Sequence, residues 1–228
     1  LDTYHAKLTF ITEMLGTAPM DKDTYSKHIV KKHDQAIERA EKKGDTAAVT
    51  ELQGLRDTLA YEEVDMLPTE TVDKGKTVFR RGKDGALVIM DFMIRGFLKE
   101  AGEAVTGGWG MRSYIDKWVF CKQREIPLLF DGAPITEPDD VFERPLRCET
   151  MKGPRVALAA SEIIAGGGVV EFDIVVLPLA TKGGKKGDKL KIDEATLRSW
   201  FAYGELCGIG QWRSGSYGRF TTELTRVQ

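Results

Sequence analysis

A chain of 228 residues with 42% hydrophobic side chains can bury a substantial core, which excludes a disordered or linker-like polypeptide. With 33 Lys and Arg against 35 Asp and Glu, the net charge is −2, so no global basic field attracts polyanions. No stretch approaches the roughly 18 uninterrupted apolar residues of a membrane span, and residues 1–10 hold no basic-then-apolar signal, so no membrane association is expected.

Residues 4–10 alternate as a strand does, with Leu8 and Phe10 on one side and Lys7 and Thr9 on the other. Gly16 and Pro19 mark a break. Residues 21–66 then turn helical. Asp21 or Asp23 caps a first helix that stops at Gly44, and Asp45 opens a second that Pro68 closes. Both carry thin apolar stripes and many charges, so an exposed helical hairpin inserted into one domain spanning 1–228 is expected. Residues 78–81 and 86–89 flank Gly82-Lys83-Asp84-Gly85, a tight hairpin reversal. Met90, Ile94, Phe97, Leu98, Ala101 and Val105 then share a helical face that ends at Gly107-Gly108.

The middle of the chain predicts β-structure at residues 118–121, 146–150, 156–163 and 169–177, punctuated by proline and glycine. A lysine- and glycine-rich loop, 181–187, follows. Asp193 caps another helix, with Ile192 and Leu197 as a hydrophobic staple and Trp200 and Phe201 continuing the apolar face. Residues 220–227 form a last strand.

Between that helix and strand lies the most informative segment, Gly208-Ile209-Gly210-Gln211-Trp212-Arg213-Ser214-Gly215-Ser216-Tyr217-Gly218-Arg219-Phe220. Four glycines within eleven residues imply positive φ angles or close backbone approach. Successive N–H groups in such a loop can hold an anion, Arg213 and Arg219 add charge, and Trp212 and Tyr217 offer faces on which bases stack. A glycine-rich turn whose aromatics pack into the core is the alternative. The pattern hGhGxxRxGxxGRF resembles the glycine-rich loop of the RAMP superfamily, the RRM-like proteins of CRISPR antiviral defence systems, through Gly208, Gly210, Arg213, Gly215, Gly218, Arg219 and Phe220. The element order matches a ferredoxin-like β-α-β-β-α-β core within an α+β fold, with the helical hairpin and extra β-hairpins as additions.

The resemblance implies non-catalytic binding of single-stranded nucleic acid, RNA favoured over DNA, through the glycine loop and a basic sheet face. It also implies side-by-side assembly with copies of the chain or sister subunits. Gly208, Gly210, Trp212, Arg213, Gly215, Tyr217, Gly218 and Arg219 are then the expected contacts. Lys76, Arg80, Arg81, Arg95 and Lys99 would supply further phosphate contacts. Charge patterning bears on this, because residues 74–124 carry a local +6 and residues 179–228 a local +4, leaving −12 for the remainder. A cationic surface forms if the two stretches meet. The rivals are a metal-independent endoribonuclease of the same superfamily and a protein–protein module that docks through the acidic helical hairpin.

Other chemistry finds little support. Gly75-Lys76-Thr77 ends like a phosphate-binding loop, but Glu70 stands where its first glycine belongs. Gly208-Ile209-Gly210 follows a helix and precedes a strand, the reverse of dinucleotide-binding order. Cys121, Cys148 and Cys207 lack CxxC spacing, which argues for a reducing cytoplasm and against a structural zinc site. His28 and His33 are five apart and share no helical face. His5 lies in the first strand. Glu137, Asp139 and Asp140 could bind a divalent ion, but a solvated acidic loop is the simpler reading. The expectation is no cofactor, no metal and no catalytic residue. Trp109, beside Arg112, is a further stacking candidate.

Overall fold

The computed structural model describes residues 1–20, 37–38, 41–42, 49–50, 53, 76–107, 110–150, 153–178 and 192–227. In chain order the strands β1 (Asp2–Phe10), β2 (Met14–Leu15), β3 (Ala18–Pro19), β4 (Lys76–Val78), β5 (Arg80–Arg81) and β6 (Leu87–Met90) precede helices α1 (Asp91–Ala101) and α2 (Met111–Trp118). Then come β7 (Val119–Cys121), β8 (Glu125–Pro127), β9 (Leu129–Phe130), β10 (Ala133–Pro134), β11 (Asp140–Thr150), β12 (Gly153–Ile164) and β13 (Val169–Val176). Helix α3 (Glu194–Cys207) and β14 (Phe220–Arg226) complete the order. The fold is mixed α+β with antiparallel sheets, as expected from the sequence. The expected helical hairpin at 21–66 and the loop at 181–187 fall largely or wholly outside the described residues; residues 37–38, 41–42, 49–50 and 53 are helical.

Alternation in β1 sets the core. Tyr4, Ala6, Leu8 and Phe10 are buried while the residues between them are not. β1 lies between β13 and β14, antiparallel to both, and β13 carries β7 antiparallel on its other side. Val170, Phe172, Ile174 and Val176 of β13 and Phe220 and Leu224 of β14 extend the same buried face. Ile94, Phe97, Leu98 and Ala101 of α1 and Leu197, Trp200 and Phe201 of α3 cover it. The Phe97 ring meets Phe220 edge-on at 5.9 Å and Phe201 at 5.6 Å.

The expected cap and staple of α3 are present. Asp193 Oδ1 accepts from Thr196 N, and Ile192 and Leu197 are both buried. Two expectations need correction. The apolar face of α1 does not include Val105, which is exposed, because residues Gly102–Thr106 widen into a π-helical turn. In return Thr106 Oγ1 accepts from the buried Trp200 indole N–H at 2.9 Å. Helix α2, absent from the sequence expectation, buries Met111 and Ile115.

A second sheet orders β11, β12, β4 and β3, with β2 also on β12. Its β12–β4 pairing is parallel. The buried Glu162 of β12 ties it to the β4–β5 junction, accepting from Phe79 N at 2.8 Å with Arg81 3.6 Å away. The outward edge of β14 is capped by α3. Thr222 N donates to Glu205 and Arg198 donates to Leu224 O, which satisfies two groups otherwise open to strand addition.

Two glycines test the packing in opposite directions. A Cβ at Gly204 would lie 2.4 Å from Phe97 Cε2 and 2.7 Å from Phe220 Cζ, whereas one at Gly96 would meet nothing within 4 Å. Gly204→Ala should destabilise by about 1–3 kcal/mol through overpacking. Gly96→Ala should stabilise by ~0.5–1 kcal/mol through helix propensity alone. Urea unfolding midpoints of the two variants, moving in opposite senses, check both.

Candidate functional site

The glycine-rich loop folds back on itself. Gly208 ends α3 at φ +75°, and Gly218 enters β14 at φ +69°. Their backbones cross so closely that Ile209 N donates to Gly218 O at 2.9 Å. A Cβ at Gly218 would lie 2.0 Å from Ile209 O, and one at Gly208 2.5 Å from Tyr217 O. The loop is also fastened to the β1–β2 turn. Gly218 N donates to Glu13 O, Thr12 Oγ1 donates to Ser216 O and Arg219 N donates to Thr12 Oγ1. Gln211 accepts from Thr77 Oγ1 of β4, which also bonds Ser161 of β12, so the loop bridges both sheets.

Within the loop expected to hold an anion, several amides are already engaged. The amides of Ile209, Gly215, Ser216, Gly218 and Arg219 all donate within the protein. The ring faces of Trp212 and Tyr217 are likewise taken up. The two stack at 5.1 Å and 18°, Phe142 of β11 packs against both, and the Arg144 guanidinium lies 3.9 Å over the Trp212 ring. Trp212 is 36% exposed. The cluster therefore joins the loop to the β11–β12 ribbon, and Gly215 packs against the indole. Arg219 Nε donates to Glu205 O.

Beside the loop, between α1 and β5, opens a cleft of about 400 Å³. Arg80, Phe92, Gly96, Glu100, Gly210 and Arg213 line it, together with Thr17, Met93, Phe97 and Ile209. Arg80 is buried, and its guanidinium lies 5.2 Å from the centre of the Phe92 ring, which is itself 43% exposed. Arg213 Nη2 is 2.8 Å from Glu100 Oε2, and the Tyr203 hydroxyl donates to Glu100 Oε1 at 3.3 Å. The Arg213 hydrogen bond holds the Glu100 carboxyl below its usual range, against the opposing effect of burial. Hydrogen bonding with Cys207 and then burial push the Tyr203 phenol up to about 12.

The two basic stretches thus meet in the cleft through Arg80 and Arg213. Gly210 lines it as well, and the other expected basic contacts lie elsewhere. Arg95 and Lys99 both pair with Asp116 of α2, on another side of α1. Arg81 faces Glu162 and Glu137, and Lys76 sits in β4 outside the cleft lining. The sheet face opposite the helices is not basic, since Lys7, Lys122 and His5 are set against Glu171, Asp173 and Glu223. His5 Nδ1 is 2.9 Å from Asp173 Oδ1. Asp139 and Asp140 accept from the backbone amides of Ala165 and Val141, and the described residues contain no group of side chains able to hold a metal ion. Trp109, His28, His33, Asp21 and Asp23 lie outside the described residues.

Sequence reasoning missed Phe92, Gly96 and Glu100, although their four-residue spacing down the face of α1 away from the core was visible. An exposed phenylalanine in that row was the available signal. Phe142 and Arg144 gave none, because only pairing of β11 with β12 brings them to the loop.

Neither a protein-family model nor a curated protein matches this chain. Among the described residues no helix is long and apolar enough to cross a membrane.

The Glu100–Arg213 pair makes a pH prediction. A depressed carboxyl stabilises the fold fully above its unfolded value and loses that contribution as pH falls through the lower folded value. Below pH 4.5, the ordinary value, the urea midpoint of the native chain should therefore fall more steeply than that of Glu100→Gln. Equal acid slopes would show that the pair contributes nothing to stability.

Proposed function

We propose that the chain is a ferredoxin-like, RAMP-type domain that binds single-stranded nucleic acid, RNA by preference, without cutting it. The path β1, α1, β7, β13, α3, β14 and the all-antiparallel order β7-β13-β1-β14 support the ferredoxin-like reading. The observation that carries the functional reading is the convergence of Arg80 and Arg213 in one cleft beside an exposed aromatic ring and the glycine-loop backbone. Guanidinium groups meet phosphates, and the open row Phe92–Gly96 gives a base an apolar surface to lie on.

The proposed interface lies on the loop's flank rather than in its interior. Arg213, Gly210 and Arg80 line the strand's path. Gly208, Gly218, Trp212 and Tyr217 hold that flank in shape. Arg95 and Lys99 brace α1 against α2 and contribute only to the surrounding field. Assembly with copies of itself or sister subunits along the strand belongs to the same proposal.

Fluorescence anisotropy of a labelled single-stranded RNA, followed across a salt series in EDTA, tests this. Affinity should fall as salt rises, with weak sequence preference, and the strand should be recovered intact. Arg213→Gln should weaken binding several-fold and reduce the salt slope by about 0.7, the effect of one phosphate contact on a single strand. Absence of binding at about 50 mM salt, where such a site is strongest, would overturn the reading. Shortened RNA would replace it with a metal-independent ribonuclease.

A further inference from the structure

Among the described residues that line the cleft, Glu100 is the one acidic side chain, and it occupies the place where a phosphate would meet Arg213. It stands at the end of the row Phe92–Gly96–Glu100, along which a strand would enter. We infer that Glu100 is a displaceable counterion, holding Arg213 in the empty cleft and yielding that guanidinium to a backbone phosphate when a single strand binds. The inference rests on the nucleic-acid reading above and assigns to that site a residue which sets its selectivity for anionic ligands.

The exchange is chemically matched. A guanidinium fork accepts a carboxylate or a phosphate oxygen in the same planar geometry. The ion pair is 34% exposed on each side, so solvent screening keeps its net worth small and its opening cheap. Glu100 does not lose every partner when it yields, because the Tyr203 hydroxyl still donates to it. Without a ligand, the carboxylate is the charge set against Arg213. A neutral ligand gains nothing by displacing it, so the pair discriminates by charge as well as by shape.

The test compares the native chain with Glu100→Gln, using labelled single-stranded RNA and a neutral-backbone peptide nucleic acid of the same sequence. Glu100→Gln should bind RNA about tenfold more tightly at low salt, with the gain shrinking as salt rises. Its affinity for the neutral analogue should be unchanged. Glu100→Ala should show the same gain, which guards against a folding defect in one variant. Tyr203→Phe, which spares the ion pair, should stay within about twofold of the native chain. If the native chain binds RNA but the Glu100 variants bind equally or more weakly, the counterion role is overturned and the binding site stands. A gain of equal size for Tyr203→Phe, or for the neutral analogue, also overturns it, since charge exchange would not be the cause. If the native chain binds no RNA at any salt, the nucleic-acid reading fails first.

Discussion

The backbone crossing at Gly208 and Gly218 is the constraint on which the rest of the site depends. Two chain segments that approach to within a hydrogen bond at Ile209 leave no room for a side chain on either glycine. Closure at this point turns residues 209–217 into a ring rather than an open excursion between α3 and β14. Once closed, the ring has fixed neighbours: the β1–β2 turn beneath it, Thr77 and Ser161 on one side, and α1 on the other. Gly210 and Arg213 face the cleft because the ring cannot turn any other way. Trp212 and Ser216 accept left-handed backbone angles, at φ +51° and +67°, at either end of its short helical turn. Strain of that kind persists where surrounding contacts over-determine the geometry, as the stack of Arg144, Trp212, Tyr217 and Phe142 does here.

Among the described residues, many of the basic side chains are paired within the chain. Arg81, Arg95, Lys99 and Arg213 each lie against a carboxylate, so clustering of basic residues along the chain does not translate into a cationic surface of equal size. The partly exposed pairs among them, such as Arg95–Asp116 and Glu100–Arg213, add at most ~1 kcal/mol each. Their consequence is less for stability than for what remains available to a ligand. Among the described residues that line it, the cleft sets two arginines beside one glutamate, in a protein of net charge −2. Affinity built on such a balance would respond strongly to salt and to single charge changes.

Much of the fold was legible in the sequence because period and punctuation are local properties. Alternation in β1, the spacing of Ile94, Phe97, Leu98 and Ala101, the Asp193 cap and the 82–85 reversal each depend on neighbouring residues and on nothing distant. Helix α2 was not legible. It is short, begins after Gly110 at φ +92° and buries only Met111 and Ile115, too few positions to establish a period. The π-helical turn at Gly102–Thr106 was equally hidden, since it follows from how α1 packs against α2 and α3.

The sequence by itself determined that the glycine density between α3 and β14 calls for positive φ angles or close backbone approach, and that arginines and aromatics stand beside those glycines. Glycine spacing and side-chain type are properties the chain carries before it folds. Only the tertiary structure decided which way those groups face. It engaged five of the loop amides, stacked Trp212 on Tyr217, paired Arg95 and Lys99 with Asp116, and left Arg80 and Arg213 in one cleft with Phe92 and Glu100. The physical reason is that a side chain's partner is chosen by proximity across elements far apart in the chain, and that proximity exists only once the sheets and helices have packed.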